Sequence, residues 1–319
     1  MTRPSHSVWE SPSSDPNDET VADIVEPADA SDLDAFDAVF VGEPFDGAVI
    51  GRKGASDGPA AIREALAGVK THHFESGPIA ALGDYGDVRA STPDLESVRE
   101  AVSAVARTVH DSAATPVFLG GDNSLTVPNV GPLVDRDDAD AAVINLDAHL
   151  DVRERRGTPT SGTPYRELLE SGLATYTCVG ARHFETSTAY AEYLDEQGGT
   201  IITAEAVGSN LEEAIRRARE SVAEVDSVYL SIDCDVLDAA HAPGVSAPTP
   251  GGLTPRELFR FVRDLAGHDR LAGVEVVECA PPLDEGGKTV DAAARVVAHA
   301  LSGMAAGTEP GAAAGGEPR

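Results

Sequence analysis

Positive charge is what this chain lacks most. Lysine and arginine together number 24 against 54 acidic residues, for a formal charge of −30. Lysine itself occurs only at Lys53, Lys70 and Lys288. Nucleic-acid binding needs a basic footprint, so that class of function is excluded. The acids are scattered along the chain, which argues against an acidic interaction tail. An acidic, lysine-poor surface suits a protein in concentrated salt, where self-repulsion is screened. The expectation is a halophilic, cytoplasmic protein.

Long apolar runs are missing as well. No stretch approaches the roughly eighteen residues that a membrane-spanning helix needs, so no membrane association is expected. The N-terminal MTRPSHSVWESPSSDPNDE has no apolar segment of the kind a secretory signal carries. Cysteine is scarce. Cys178, Cys234 and Cys279 each lie in or beside an apolar run, and an odd count without framework spacing fits small core residues in a reducing compartment. Polar composition marks residues 1–20 as a disordered leader and 305–319 as a disordered tail. With no internal repeat or linker between them, residues 21–304 read as a single domain.

Within that span, short apolar runs alternate with longer amphipathic stretches. Strands are expected near 37–42, 79–83, 116–120, 142–147, 175–180, 200–203, 228–233 and 272–277. Helices are expected near 58–67, 94–111, 164–171, 186–197, 210–224, 255–266 and 290–302. Several strand segments are apolar throughout, as in strands covered on both faces. The alternation predicts a three-layer α/β/α fold around a mainly parallel, roughly eight-stranded sheet.

Polar residues then fall at telling places. Asp122 and Asn123 follow the third strand, Asp147, His149 and Asp151 the fourth, Asp233 and Asp235 the seventh, and Glu278 the eighth. All project from carboxyl ends of strands, where open α/β sheets bind ligands. In Asp147-Ala-His149-Leu-Asp151, alternate side chains of an extended segment would converge, and Ser231-Ile-Asp233-Cys-Asp235 repeats the device. Such carboxylates repel unless a cation joins them. Oxygen-rich ligation with some imidazole suits Mn²⁺. His72, His73, His183 and His241 lack partners at ligand spacing and are expected in surface or supporting roles.

These segments resemble the arginase–agmatinase–formimidoylglutamase superfamily over about residues 37–300. GGDNS (120–124) is similar to the family's GGDHS, DAHLD (147–151) to DAHxD, and SIDCDVLD (231–238) to SxDxDxxD. Gly54-Ala55 and Gly58-Pro59 with Ile62-Arg63 resemble an early loop-to-helix element. The resemblance implies two Mn²⁺ per subunit and a homo-oligomer of three or six chains. It implies Asp147 and Asp233 as bridging ligands, His149 and Asp235 completing one ion, and Asp151 on the other. Asn123 stands where the family has a second histidine ligand. The resemblance also implies catalytic roles: Asp151 to carry a proton, and Glu278 to pair with a cationic amidine.

Three features resemble the formimidoylglutamase branch: Arg153 in DAHLDVR, Ser161 in PTSGTPYRE (159–167), and PGVSAP (243–248). A substrate with two carboxylates would need cations in so acidic a protein, and Arg153, Arg166 and Arg182 are the candidates, since an arginine fork suits a carboxylate. The expectation is hydrolysis of N-formimidoyl-L-glutamate to L-glutamate and formamide, with Arg153, Ser161, Arg166, Arg182 and Glu278 contacting substrate. An agmatinase or guanidinobutyrase of the same fold is the alternative.

Overall fold

Apolar runs of four to seven residues that end at glycine or aspartate become strands here, since they are too short for helices and bury both faces. The structure is a computed structural model describing residues 9–79, 81–137 and 139–307. In chain order the strands are β1 (Val25–Pro27), β2 (Ala38–Gly42), β3 (His72–His73), β4 (Gly77–Pro78), β5 (Leu82–Asp87), β6 (Thr115–Leu119), β7 (Ala141–Leu146), β8 (Thr175–Ala181), β9 (Thr200–Thr203), β10 (Ser227–Asp233) and β11 (Leu271–Val277). Strands β3 and β4 form a separate antiparallel pair. The other nine form one sheet in the order β1-β5-β2-β6-β11-β10-β7-β8-β9, and every pairing in it is parallel.

Helices cover both faces. They are α1 (Val21–Ile24), α2 (Gly58–Ala67), α3 (Leu95–His110), α4 (Thr126–Val134), α5 (Pro164–Glu170), α6 (Thr188–Glu196), α7 (Ala204–Ser209), α8 (Leu211–Ser221), α9 (Pro255–Ala266) and α10 (Lys288–Gly307). Strand alternation divides the core in two. Phe40 packs on one side with Ile62, Leu66 and Phe261, while Val39 and Val41 face the other with Phe118, Tyr165 and Tyr176. Helix α9 starts cleanly because Thr254 caps it and Glu257 returns the bond, with Pro255 at the first helical position. None of the described helices is long and apolar enough to cross a membrane.

The structure departs from the sequence expectations in several places; besides the short elements α1, α7, β3 and β4, which are absent from them, four matter most. The sheet has a ninth strand, β1, three residues long on its edge. The strand expected at 79–83 lies at Leu82–Asp87 instead; its polar residues are accommodated because Asp84 and Asp87 take the guanidinium of Arg63. Helix α4 is unforeseen, because TVPNVGPLV carries two prolines and a glycine. The leader is partly packed: Trp9 stacks on Phe40 with ring centroids 5.6 Å apart and donates its indole N–H to Asp84 at 2.9 Å. Residues 1–8 of that leader lie outside the described residues, as does the expected tail beyond Gly307.

Arg63 and Asp84 are both buried, 3% and 1% exposed, and 2.9 Å apart. Removing Arg63 takes away a buried cation that Asp84 and Asp87 share. Arg63→Ala is therefore expected to lower the unfolding free energy by about 3–5 kcal/mol, read from the denaturant midpoint. A midpoint unchanged from wild type would show that the pair contributes nothing.

Candidate metal centre

The end of β6, the ends of β7 and β10, and the residue after β11 lie side by side, because β6, β11, β10 and β7 are neighbours in the sheet. Aspartate shapes three of these ends in the same way. Asp122 accepts from Ser124 N at 3.0 Å, Asp147 from His149 N at 2.7 Å, and Asp233 from Asp235 N at 2.8 Å. Each is an aspartate folding its own backbone two residues on. The segments are thus tight turns and not the extended runs expected. Residues i and i+2 converge because the turn brings them together, while Ala148, Leu150 and Cys234 stay buried beneath.

Two of the four non-glycine residues with positive φ among those described are Asp151 (+47°) and Glu278 (+61°). Such backbone costs on the order of 1–2 kcal/mol per residue and concentrates where function requires it. Gly121 meets a different demand: a Cβ there would lie 1.8 Å from the Phe45 carbonyl oxygen.

The side chains form two groups with donor atoms within 4.8 Å of one another: Asp147, His149 and Asp235, and Asp147, Asp151 and Asp233. Asp147 belongs to both. Asp233, expected to bridge as well, joins only the second. His149 Nδ1 lies 3.1 Å from Asp235 Oδ2 and 3.4 Å from Asp147 Oδ1. Burial and neighbouring carboxylates push Asp147, Asp151 and Asp233 above the usual carboxylate range. Burial is the largest single influence on Asp235 and raises it too, but the bond and charge of His149, the Arg182 charge and the Ala148 N–H together hold that carboxyl low. Four carboxylates and one imidazole, with converging oxygens and no sulfur, fit a hard divalent cation such as Mn²⁺.

Glu278 is buried beside them. Its Oε1 accepts from Asn123 N at 3.1 Å, whereas Oε2 has no hydrogen-bond partner among the described residues. Burial, then the nearby Asp122 charge, pushes its carboxyl up to about 8. A cation brought against Oε2 would reverse that shift.

Other expected site residues are placed differently. Asn123 turns its amide nitrogen, not its oxygen, toward Asp151 Oδ2 at 2.6 Å, and its oxygen accepts from Thr126 Oγ1 at 2.8 Å. Ser161 accepts from Ile50 N at 3.2 Å through its hydroxyl, and its carbonyl faces the Asn123 amide at 3.4 Å. Arg182 requires correction: its buried guanidinium donates to the carbonyls of Thr249, Asp235 and Leu237, so it braces loops and is not free for a substrate. Arg166 pairs with Glu170 at 3.0 Å and lies over the Tyr193 ring, engaging none of the centre's acids. Arg153 alone of the three is exposed without a side-chain partner among the described residues. Its stem lies against Gly162, where a Cβ would be 2.7 Å from Arg153 Cδ.

Sequence reasoning missed the layer below. Glu275, buried in β11, accepts from Thr126 Oγ1 (2.6 Å) and Ser231 Oγ (2.7 Å) on one oxygen, and from Asn129 Nδ2 and Tyr229 Oη (both 3.0 Å) on the other. An acid in the middle of the apolar run AGVEVV was the available signal.

The shared position of Asp147 makes Asp147→Ala the most damaging single change. Stripped and reloaded, that variant is expected to lose activity and to bind less than one Mn²⁺ per chain by elemental analysis, because both groups lose a donor. Full manganese content would contradict the shared assignment.

Comparison with known proteins agrees with this geometry. Residues 36–303 match the Arginase family. A formimidoylglutamase of Halobacterium salinarum is 56% identical over 299 residues, 92% of this chain and 97% of that protein. Among solved structures, the formimidoylglutamase of Bacillus subtilis superimposes with a TM-score of 0.84 at 31% identity, covering 92% of this chain and 94% of that one. A Trypanosoma cruzi formiminoglutamase solved with Mn²⁺ gives 0.79 at 28% identity, covering 89% and 100%. The chain belongs to the arginase family of hydrolases.

Proposed function

We propose that the chain hydrolyses N-formimidoyl-L-glutamate to L-glutamate and formamide, using two Mn²⁺ held by Asp147, His149, Asp151, Asp233 and Asp235, with Asn123 beside the second ion. The observation that carries the substrate is Arg153: an exposed guanidinium without a side-chain partner among the described residues, two residues along the chain from Asp151, in a protein of formal charge −30. Left unpaired there, it is suited to a carboxylate fork. A dicationic guanidine such as agmatine would meet repulsion at the same place.

Bound manganese supplies a nucleophile near neutral pH by acidifying water. The chain's own groups do the rest. Glu278 Oε2, buried and without a hydrogen-bond partner among the described residues, receives an N–H of the cationic amidine and orients its carbon. Asp151 stands at the centre on a strained backbone and carries the proton from water to the leaving nitrogen, so that the C–N bond breaks with glutamate leaving as an amine. Ser161 keeps the Ile50 backbone in place at the rim through its 3.2 Å bond. Arg153 holds a substrate carboxylate away from the acidic walls. The family resemblance further supports a homo-oligomer of three or six chains.

Arg153→Ala should raise KM for formimidoylglutamate by one to two orders of magnitude, since a charge-assisted bond contributes on the order of 1.5–3 kcal/mol. Its kcat should change less, because the arginine contacts a non-reacting part of the substrate. Steady-state kinetics on the Mn²⁺-loaded protein measures this. Wild-type KM in the variant would remove Arg153 from the substrate site.

A further inference from the structure

Thr126 carries one hydroxyl proton but has two neighbours to satisfy. Its Oγ1 lies 2.6 Å from Glu275 Oε1 and 2.8 Å from the oxygen position of the Asn123 amide. All of these groups are buried. The proton can serve only one of them. Glu275 is the stronger claimant: it sits among four donors that converge on its two oxygens, and a carboxylate accepts more strongly than an amide. Once Thr126 donates to Glu275, its lone pairs face Asn123, and the contact at 2.8 Å is favourable only if the Asn123 NH₂ points there.

A half-turn of the Asn123 amide makes that arrangement and moves no other atom. The amide oxygen then occupies the position 2.6 Å from Asp151 Oδ2 and 3.4 Å from the Ser161 carbonyl oxygen, whose long hydrogen bond is given up. Two oxygens that close repel, unless a cation lies against both. We infer that Thr126, held by Glu275, is a positioning residue that selects the Asn123 amide orientation with its oxygen toward the Asp147–Asp151–Asp233 group, and thereby makes Asn123 a ligand for the second ion. The inference rests on the two-ion reading above. It accounts for a buried carboxylate in β11 and a buried hydroxyl at the start of α4, neither of which reaches the substrate side. It also separates the ions, since the Asp147–His149–Asp235 group has no contact with Thr126 among the described residues.

The test is a Mn²⁺ titration of chelator-stripped protein, followed by calorimetry and by the electron paramagnetic resonance signal of free Mn²⁺. Wild type is compared with Thr126→Val, which keeps the shape, and Thr126→Ser, which keeps the hydroxyl. Thr126→Val should bind the first ion as wild type does and the second roughly tenfold more weakly, the effect of about one hydrogen bond. Thr126→Ser should stay within about twofold of wild type, because the hydroxyl alone sets the amide. The melting temperature of metal-free Thr126→Ser should match wild type, which a mere packing role for the threonine methyl would not give. Should Thr126→Val not fold, Thr126→Ala removes the same hydroxyl and is expected to weaken the second ion alike. Equal second-ion affinity in wild type and the hydroxyl-less variant overturns the inference, as does equal weakening of both ions. Turnover of formimidoylglutamate by wild type in the same preparation keeps the two claims apart: if it persists with two ions bound while Thr126→Val binds both normally, only the role of Thr126 falls.

Discussion

Everything at the carboxyl edge of the sheet depends on one electrostatic constraint: buried acids that cannot all be charged without a cation among them. Asp147, Asp233 and Asp235 are each at most 3% exposed, and Asp151 completes a group whose oxygens lie within 4.8 Å of one another. Burying even one uncompensated carboxylate is costly. The parallel sheet makes the crowding unavoidable, because β6, β11, β10 and β7 deliver their carboxyl ends to one place. The same arrangement makes a candidate cation site of it.

That constraint explains the supporting structure. The aspartate turns hold the acids rigidly, so that they do not relax into solvent. Positive φ at Asp151 and Glu278 stores modest strain that the surrounding packing must oppose. Below them, Glu275 gathers four hydrogen bonds and needs no metal. Two kinds of buried carboxylate therefore lie a few residues apart on neighbouring strands: one kind satisfied by protein donors, the other left for a cation. Arg182 ties the loop after β10 to residues near Thr249, which keeps Asp235 in register with His149.

Much of this was legible in the sequence, for a physical reason. Acids that close apolar strands have few structural uses, so Asp147, His149, Asp151, Asp233, Asp235 and Glu278 could be singled out by position alone, and the parallel three-layer fold followed from alternation. What could not be read has physical reasons too. Left-handed backbone at a non-glycine residue leaves no mark in composition. The polar strand β5 is accommodated in the sheet in part because Arg63 reaches it from α2, a contact 21 residues apart in sequence. Helix α4 tolerates Pro132 inside it, against local propensity. Arg182 looked like a substrate cation because spacing cannot show that backbone carbonyls already surround its guanidinium.

The most direct test of the account is the stabilisation that Mn²⁺ gives to chelator-stripped protein as pH is varied. Acids whose folded-state affinity for protons is raised, as for Asp147, Asp151, Asp233 and Glu278, favour folding while protonated, and that contribution is lost as pH rises through their folded values. Metal binding requires three of these carboxylates, Asp147, Asp151 and Asp233, deprotonated. The melting-temperature increase produced by a fixed excess of Mn²⁺ should therefore grow as pH rises over the range in which the metal-free protein stays folded. An increase that stays constant across this range, or no increase at all, would contradict the claim that these buried acids are built around a cation.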